Sequence, residues 1–258
     1  MSLILLDKTA SRAVLTLNRP SQHNALSREM KVELNQKLDT LEKDIQLRVL
    51  ILTGAGEKAF CAGTDIHELS GMEEADALTL SREGQLLCER VERFPVPVVA
   101  AVNGIAAGGG FELALACHLR LASTTSSFSL PETRLGLIPG YGGTQRLARE
   151  VGVGRATELM LTRKILSGEE AFHFGLVNRL VAPTDLMTET LSLANEIEQL
   201  SPLSIRACLK AISVGLELPL SEGLALETKL FSSLFATEDA KEGTSAFLEK
   251  RRPTFKGR

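Results

Sequence analysis

The chain has 258 residues, 44% of them hydrophobic, and a formal net charge of −3. It is long and apolar enough to bury a sizeable core, and it lacks the basic excess that general nucleic-acid binders use to neutralise phosphates. Its longest apolar runs are far shorter than the roughly 18 residues expected of a membrane helix. The composition therefore argues against nucleic-acid and membrane partners.

The four cysteines, Cys61, Cys88, Cys117 and Cys208, are scattered along the chain. They form no C-x-x-C pair and have no metal-site spacing to a histidine, so we expect reduced thiols and no metal. The first residues lack a basic leader, a long apolar stretch and a small-residue cleavage site, which predicts no signal peptide. These features predict a cytoplasmic protein, or one of the mitochondrial matrix if a transit peptide has been removed.

Strand and helix signals alternate through the first half of the chain. Ser27 is suited to cap a helix whose apolar residues Met30, Leu34, Leu38 and Leu41 fall on one stripe. A second helix is predicted near 74–94, before Pro95, and an apolar helix from about Gly109. The predicted strands are 3–6, 13–17, 49–52, 98–102, 119–122 and 127–130.

This alternation predicts an α/β core with parallel strand pairing. Strand signals stop after residue 184, and four helical patterns follow, near 185–200, 202–215, 220–235 and 238–251. A purely helical tail after an α/β core indicates a separate layer, which could fold back on the core or pack against another subunit. We place the boundary between residues 1–195 and 196–258.

Three segments combine turns with polar residues: 60–66 (FCAGTDI), 103–112 (NGIAAGGGFE) and 130–144 (LPETRLGLIPGYGGT). None contains the phosphate-loop or dinucleotide fingerprint. A glycine cluster at a strand-to-helix turn is most often tight packing, and a first-turn or loop glutamate is most often solvated. Glu112, however, lies in an entirely apolar helix, and a buried carboxylate often marks a functional site. Glu132 follows Pro131 and precedes an apolar, glycine-rich loop, although pairing with Arg134 is an alternative.

Taken together, these segments resemble the crotonase family, the enoyl-CoA hydratase/isomerase superfamily. The matching motifs are F-C-A-G-T-D, N-G-x-A-x-G-G-G-x-E and P-E-T-R-L-G-L-I-P-G-Y-G-G-T-Q-R-L, with Asn24-Ala25-Leu26 before them and 171–181 after them. The resemblance covers essentially the whole chain, and the ordered set is far more specific than any single motif. It implies a spiral of strand-strand-helix units with a C-terminal helical layer that mediates assembly into trimers or hexamers.

The resemblance also implies roles for four residues. The backbone N–H groups of Thr64 and Gly109 would form an oxyanion hole, because fixed donors stabilise the negative charge that grows on a thioester oxygen. Glu112 would activate a water and Glu132 would protonate the α-carbon, acting as a coupled pair. Thr64 departs from the small residue, often Ala, that is usual in the family; the backbone donor survives this change.

Further positions would bind the substrate by resemblance. Ala25, Ala62, Gly140 and Tyr141 are four of them, although for Tyr141 simple lining of the pocket is an alternative. Asp65, Ile66 and His67 would lie near the coenzyme A arm, where a neutral His67 replaces the lysine of many relatives. Phe255 and Lys256 resemble a segment that covers the adenine, although a frayed basic tail is equally consistent with them.

Both glutamates are present, whereas isomerases of the family tend to keep only the second one, so hydration of a 2-enoyl-CoA to 3-hydroxyacyl-CoA is the leading hypothesis. No cofactor is expected, because coenzyme A is part of the substrate. One alternative is another crotonase reaction, double-bond isomerisation or decarboxylation, and Tyr141 keeps the latter open. A non-enzymatic or RNA-binding protein of this fold is a third hypothesis, and the acidic charge balance and the paired glutamates oppose it.

Overall fold

Two β-sheets and eleven α-helices make up the part of the chain that the computed structural model describes, residues 2–258. The strands are β1 (Ile4–Lys8), β2 (Arg12–Leu17), β3 (Val49–Gly54), β4 (Ala59–Cys61), β5 (Val98–Val102), β6 (Ile105–Ala107), β7 (Leu119–Ser123), β8 (Ser127–Ser129), β9 (Leu166–Ser167) and β10 (Arg179–Val181). The helices are α1 (Arg28–Glu42), α2 (Ile66–Leu69), α3 (Glu74–Glu92), α4 (Gly109–Ala116), α5 (Gly143–Val151), α6 (Val153–Thr162), α7 (Gly168–His173), α8 (Leu186–Glu198), α9 (Pro202–Gly215), α10 (Leu220–Leu234) and α11 (Glu238–Leu248).

The strands are divided between a six-stranded sheet, in the order β1-β2-β3-β5-β7-β10, and a four-stranded sheet, β4-β6-β8-β9. Each of the pairs β3–β4, β5–β6 and β7–β8 places one strand in each sheet. The predicted parallel pairing is confirmed inside both sheets, but β1 pairs antiparallel with β2 and β9 with β8. Only residues 9–11 join β1 to β2, and such a short connection permits only an antiparallel hairpin. The predicted spiral of strand-strand-helix units is confirmed.

Helix α1 forms as its sequence predicts. The Ser27 side chain accepts a hydrogen bond from the Met30 N–H at 3.2 Å, which caps the first turn. Met30, Leu34, Leu38 and Leu41 are buried along one stripe, which packs into the main core. Because the cap and the apolar periodicity agree here, the local sequence was sufficient to predict this helix.

The core lies on both faces of the six-stranded sheet. Leu50 and Leu52 of β3 point into a large cluster between the sheets and helices, whereas Val49 and Ile51 point to a smaller cluster that includes Leu186 of α8. All of β3 is buried, as expected for a parallel strand covered on both faces. Helix α8 thus covers the second face of the sheet. The domain boundary predicted after residue 195 falls within this helix.

The C-terminal helices pack loosely on their own chain. No residue of Pro202–Gly215 or Leu220–Leu234 is buried, and α11 buries only Asp239 and Ala246. Asp239 accepts hydrogen bonds from the Ser201 hydroxyl at 2.9 Å and the Lys256 N–H at 2.7 Å, which ties the tail to α11. Among residues 2–258, no helix combines the length and the apolar character of a membrane span.

Candidate active site

The three motif segments meet at a single cavity of about 420 Å³. The predicted site residues that line it are Ala62, Thr64, Ile66, Gly109, Glu112, Glu132, Gly140 and Tyr141. These residues come from β4–α2, the start of α4, the turn after β8 and the loop before α5, so only the fold brings them together. The remaining wall is largely apolar, with Leu69, Met72, Leu80, Leu135, Leu137 and Ile138. The cavity therefore suits an apolar ligand that presents polar groups at one end.

The other predicted binding residues lie outside this cavity. The Ala25 carbonyl accepts a hydrogen bond from Arg19 at 2.8 Å, and Asp65 caps α2 while pairing with the same arginine at 3.0 Å. His67 lies exposed on α2. Phe255 packs beside Gly243 of α11, and Lys256 is held through its backbone by Asp239. Contact of these five residues with the substrate stays a prediction.

Glu112 is almost completely buried, with 1% of its surface exposed. Its Oε1 accepts hydrogen bonds from the Tyr141 N–H at 2.8 Å and the Gly143 N–H at 2.7 Å. Burial raises the pKa of Glu112, and the N–H donors of Gly143 and Tyr141, together with Arg146, oppose that rise. Two hydrogen bonds and a nearby positive charge therefore stabilise the charged form of Glu112 against the effect of burial.

Glu132 is in the opposite situation. It begins a 3₁₀ turn after Pro131, and its carboxyl lies over Gly108, where a Cβ would lie 2.9 Å from Oε1. Its Oε2 is buried and has no hydrogen-bond partner within residues 2–258. None of the ion pairs among these residues joins Glu132 to Arg134. Burial raises the pKa of Glu132 to about 7, and the Glu112 charge adds to this although its own backbone N–H opposes it. A carboxyl that keeps its proton toward neutral pH, beside a second carboxyl held by N–H donors, is an arrangement suited to paired acid–base catalysis.

The raised pKa of Glu132 predicts that Glu132→Gln stabilises the protein in alkaline solution. A carboxyl that binds its proton more tightly in the folded state lowers stability as pH rises from its unfolded pKa, near 4.5, to about 7. At about 1.4 kcal/mol for each pKa unit, the loss reaches up to about 3 kcal/mol above pH 7. Urea unfolding at about pH 8 should therefore show a gain for Glu132→Gln that disappears at about pH 4. The exposed Glu57→Gln control should show no such difference, and an equal gain at both pH values would contradict the assignment.

The predicted oxyanion donors lie on adjoining segments. Gly63 approaches the α4 N-terminus so closely that a Cβ there would lie 3.2 Å from the Gly109 nitrogen. In the described residues, the Thr64 and Gly109 N–H groups donate to no protein acceptor. Gly109 is the first residue of α4, whose dipole places partial positive charge at this end. Two free donors beside the glutamates could hold a developing oxyanion.

Tyr141 links this region to a lysine that sequence reasoning missed. Its hydroxyl accepts hydrogen bonds from Thr64 Oγ1 at 3.0 Å and from the Lys31 ammonium at 3.4 Å. Lys31 is 4% exposed, and burial lowers its pKa. The spacing of Lys31 to Leu34, Leu38 and Leu41 would have placed it on the buried stripe of α1 and so could have identified it.

Comparisons with known proteins agree with this geometry. The family model described as enoyl-CoA hydratase/isomerase matches residues 7–258. The short-chain-enoyl-CoA hydratase of Clostridium acetobutylicum is 40% identical over 249 residues, 96% of this chain and 95% of that protein. The crotonyl-CoA hydratase of Syntrophomonas wolfei is 39% identical, over 98% of this chain and 97% of that protein. The crystal structure of an enoyl-CoA hydratase from Bacillus anthracis is 43% identical and superposes with a TM-score of 0.96 over all of both chains.

Proposed function

The chain belongs to the enoyl-CoA hydratase/isomerase family, and on that premise we propose that it adds water across the double bond of a 2-enoyl-CoA to give 3-hydroxyacyl-CoA. The observation that carries this proposal is the pair of unlike glutamates in one cavity, Glu112 held by two N–H donors and Glu132 with a buried oxygen left unpartnered. Relatives at about 40% identity that are named for hydration of such thioesters support it.

In the proposed mechanism, the thioester oxygen accepts hydrogen bonds from the Thr64 and Gly109 N–H groups. Glu112 takes a proton from a water while the oxygen of that water bonds to the β-carbon, and Glu132 gives its proton to the α-carbon. Glu112 then releases its proton and Glu132 takes one up, so the net addition is one water and both carboxyls return to their starting states. The oxyanion donors stabilise the enolate-like charge between these events, and each such donor is typically worth about 3–4 kcal/mol. The reaction needs no cofactor, because both proton transfers fall to protein carboxyls.

The apolar wall supports an acyl chain as the part of the substrate bound there, and the size of the cavity supports a short or medium chain. A cavity of about 420 Å³ that also contains two glutamates leaves limited room for a long chain. We further propose a cytoplasmic role in acyl-CoA or fatty-acid metabolism; the four unpaired thiols are consistent with a reducing compartment.

The test is a panel of 2-enoyl-CoA thioesters of increasing acyl length. Hydration removes the conjugated double bond, so absorbance should fall, and each product should gain the mass of one water. Ranking the panel by kcat/KM would define acyl preference, with the best values expected at short or medium chains. No absorbance change with any member would contradict the proposed function.

We also propose assembly into trimers that pair as hexamers. The C-terminal helices expose many large apolar side chains: Ile212, Leu216, Leu220, Leu224, Phe231, Phe235, Phe247 and Leu248. Apolar surface on this scale marks an interface more often than free surface.

This assembly predicts that Phe247→Asp, at a side chain that is 83% exposed, yields smaller species in analytical ultracentrifugation. The introduced carboxylate would have to lose its hydration in the interface, which is costly. Ile45→Asp is the matched control, because Ile45 is 93% exposed but lies between α1 and β3, and it should leave the assembly unchanged. A monomeric parent protein at working concentration would contradict the proposal.

A further inference from the structure

The guanidinium of Arg146, on α5, joins the loop before that helix to α3. Its Nη1 donates to the Tyr141 carbonyl at 3.0 Å. Its Nε and Nη2 donate to one oxygen of Glu92, at 3.1 and 2.7 Å. The Glu92 carboxylate therefore orients Arg146, whose remaining nitrogen donates a hydrogen bond to the backbone of the loop. A planar guanidinium can do both at once, which a lysine ammonium cannot do with the same geometry.

The loop has no room for any residue but glycine under this side chain. Gly142 has φ +104°, in the left-handed region, and a Cβ there would overlap Nη1 of Arg146. At Gly143, a Cβ would lie 2.9 Å from both Cγ and Oε1 of Glu112. Residues 141–143 are thus closely packed between the side chains of Arg146 and Glu112.

The result is a turn whose two N–H groups face the same carboxylate oxygen. The Tyr141 carbonyl points to Arg146, while the Tyr141 and Gly143 N–H groups donate to Glu112 Oε1. Holding the Tyr141 carbonyl fixes the plane of the 141–142 peptide, which lies between the two peptides that carry these N–H groups. With Oε1 occupied, Oε2 is the oxygen of Glu112 that is free to take a water proton.

Several ionisable groups face Glu112, and among those in the described residues Arg146 carries the positive charge. The others are Glu132 across the cavity, the buried Cys88 thiol of α3 and the Tyr141 phenol, each of which is neutral or negative. Their pKa values all respond to the Glu112 charge. A nearby positive charge favours the ionised form of a carboxyl, so Arg146 opposes the effect of burial at Glu112.

We propose that Arg146, oriented by Glu92, is a positioning residue: it holds the 141–143 turn so that Glu112 is fixed through Oε1 and kept as the base of the glutamate pair. Glu132, which has no such support, is left as the acid. This inference deepens the proposed function and rests on it for its catalytic meaning.

The first test is the pH dependence of kcat/KM for crotonyl-CoA with Arg146→Gln. Without the positive charge the pKa of Glu112 rises, so more of the base is protonated and the acidic limb moves to higher pH. The loss in kcat/KM should be several-fold greater at about pH 5.5 than at about pH 8. Arg146→Lys should restore the position of the limb but only part of kcat. Arg149→Gln, which removes an exposed arginine from the same helix, should change neither.

The second test does not depend on activity. In protein labelled with carbon-13 at glutamate carboxyls, the Glu112 resonance is identified by its absence from Glu112→Gln, and its titration is followed by NMR. Its midpoint should move upward in Arg146→Gln and stay unchanged in Arg149→Gln. An unmoved midpoint in folded Arg146→Gln would overturn the inference even if the parent protein hydrates crotonyl-CoA. A moved midpoint in a chain without hydratase activity would instead sustain the inference about Glu112 while the proposed function fails.

Discussion

Replacing Glu132 with glutamine is expected to lower kcat for hydration of crotonyl-CoA by at least about 100-fold, the usual contribution of a general acid or base. The amide keeps the size of the side chain but has no proton of suitable acidity to give to the α-carbon. Because the change also removes a buried carboxyl with a raised pKa, the variant should be folded and at least as stable as the parent. The loss should therefore appear in kcat, with thioester binding retained.

Glu112→Gln should cause a loss of the same order, and the double variant should be little worse than either single one, because the two groups act as a unit. Glu158→Gln, at an exposed position on α6, is a control that should retain full activity. Hydration that survives Glu112→Gln but not Glu132→Gln would favour a single-acid isomerase. Full activity in both variants would exclude the pair from the chemistry.

The second large effect is expected at Gly109, where Gly109→Val should reduce the rate by about 100-fold or more, as does losing one oxyanion donor. A Cβ at this position would lie 3.0 Å from two ring carbons of Tyr141 and 3.3 Å from Thr64 Oγ1. Valine adds two methyl groups to that Cβ, so the α4 N-terminus has to move relative to Thr64. The two N–H donors would then no longer meet at one oxygen.

Gly154→Val is the matched control, because Gly154 is also near the start of a helix, α6, and a Cβ there meets nothing within 4 Å. It should leave the rate within a few-fold of the parent. Thermal unfolding would establish that Gly109→Val is folded. A folded and fully active Gly109→Val protein would refute the placement of the oxyanion hole.

Much of the secondary structure could be predicted because local signals agree with the tertiary fold. Helix α1 has both a cap and an apolar stripe, and β3 and β5 are continuous apolar runs ended by glycine or asparagine turns. The short strands β4 and β6 were not predicted, although the equally short β8 was, because their residues fall in or beside the turn-rich segments 60–66 and 103–112. They exist because each pairs with a neighbour that is distant in sequence.

The site was predicted unevenly for a similar reason. Glu112 and Glu132 were identified through ordered family motifs. From the residues alone, Glu112 was only a buried carboxylate that could mark a site, and Glu132 could equally pair with Arg134. Lys31 and Arg146 were missed because their partners are remote: Tyr141 lies 110 residues beyond Lys31, and Glu92 lies 54 residues before Arg146. The helical spacing of Lys31 indicates that it is buried, but no local pattern encodes the partner of either residue. Packing of α1 and α3 against the 141–143 turn creates both pairs.

The most direct measurement of the central claim is product analysis after reaction of crotonyl-CoA in D₂O. If Glu112 and Glu132 add one water across the double bond, the product is 3-hydroxybutyryl-CoA with a single deuterium on the α-carbon, delivered from the exchanged carboxyl of Glu132. Glu112→Gln and Glu132→Gln should each produce it at least about 100-fold more slowly. The contradictory result is interconversion of 2-enoyl and 3-enoyl thioesters, with deuterium taken up from the solvent and no hydroxylated product. That result would identify an isomerase instead.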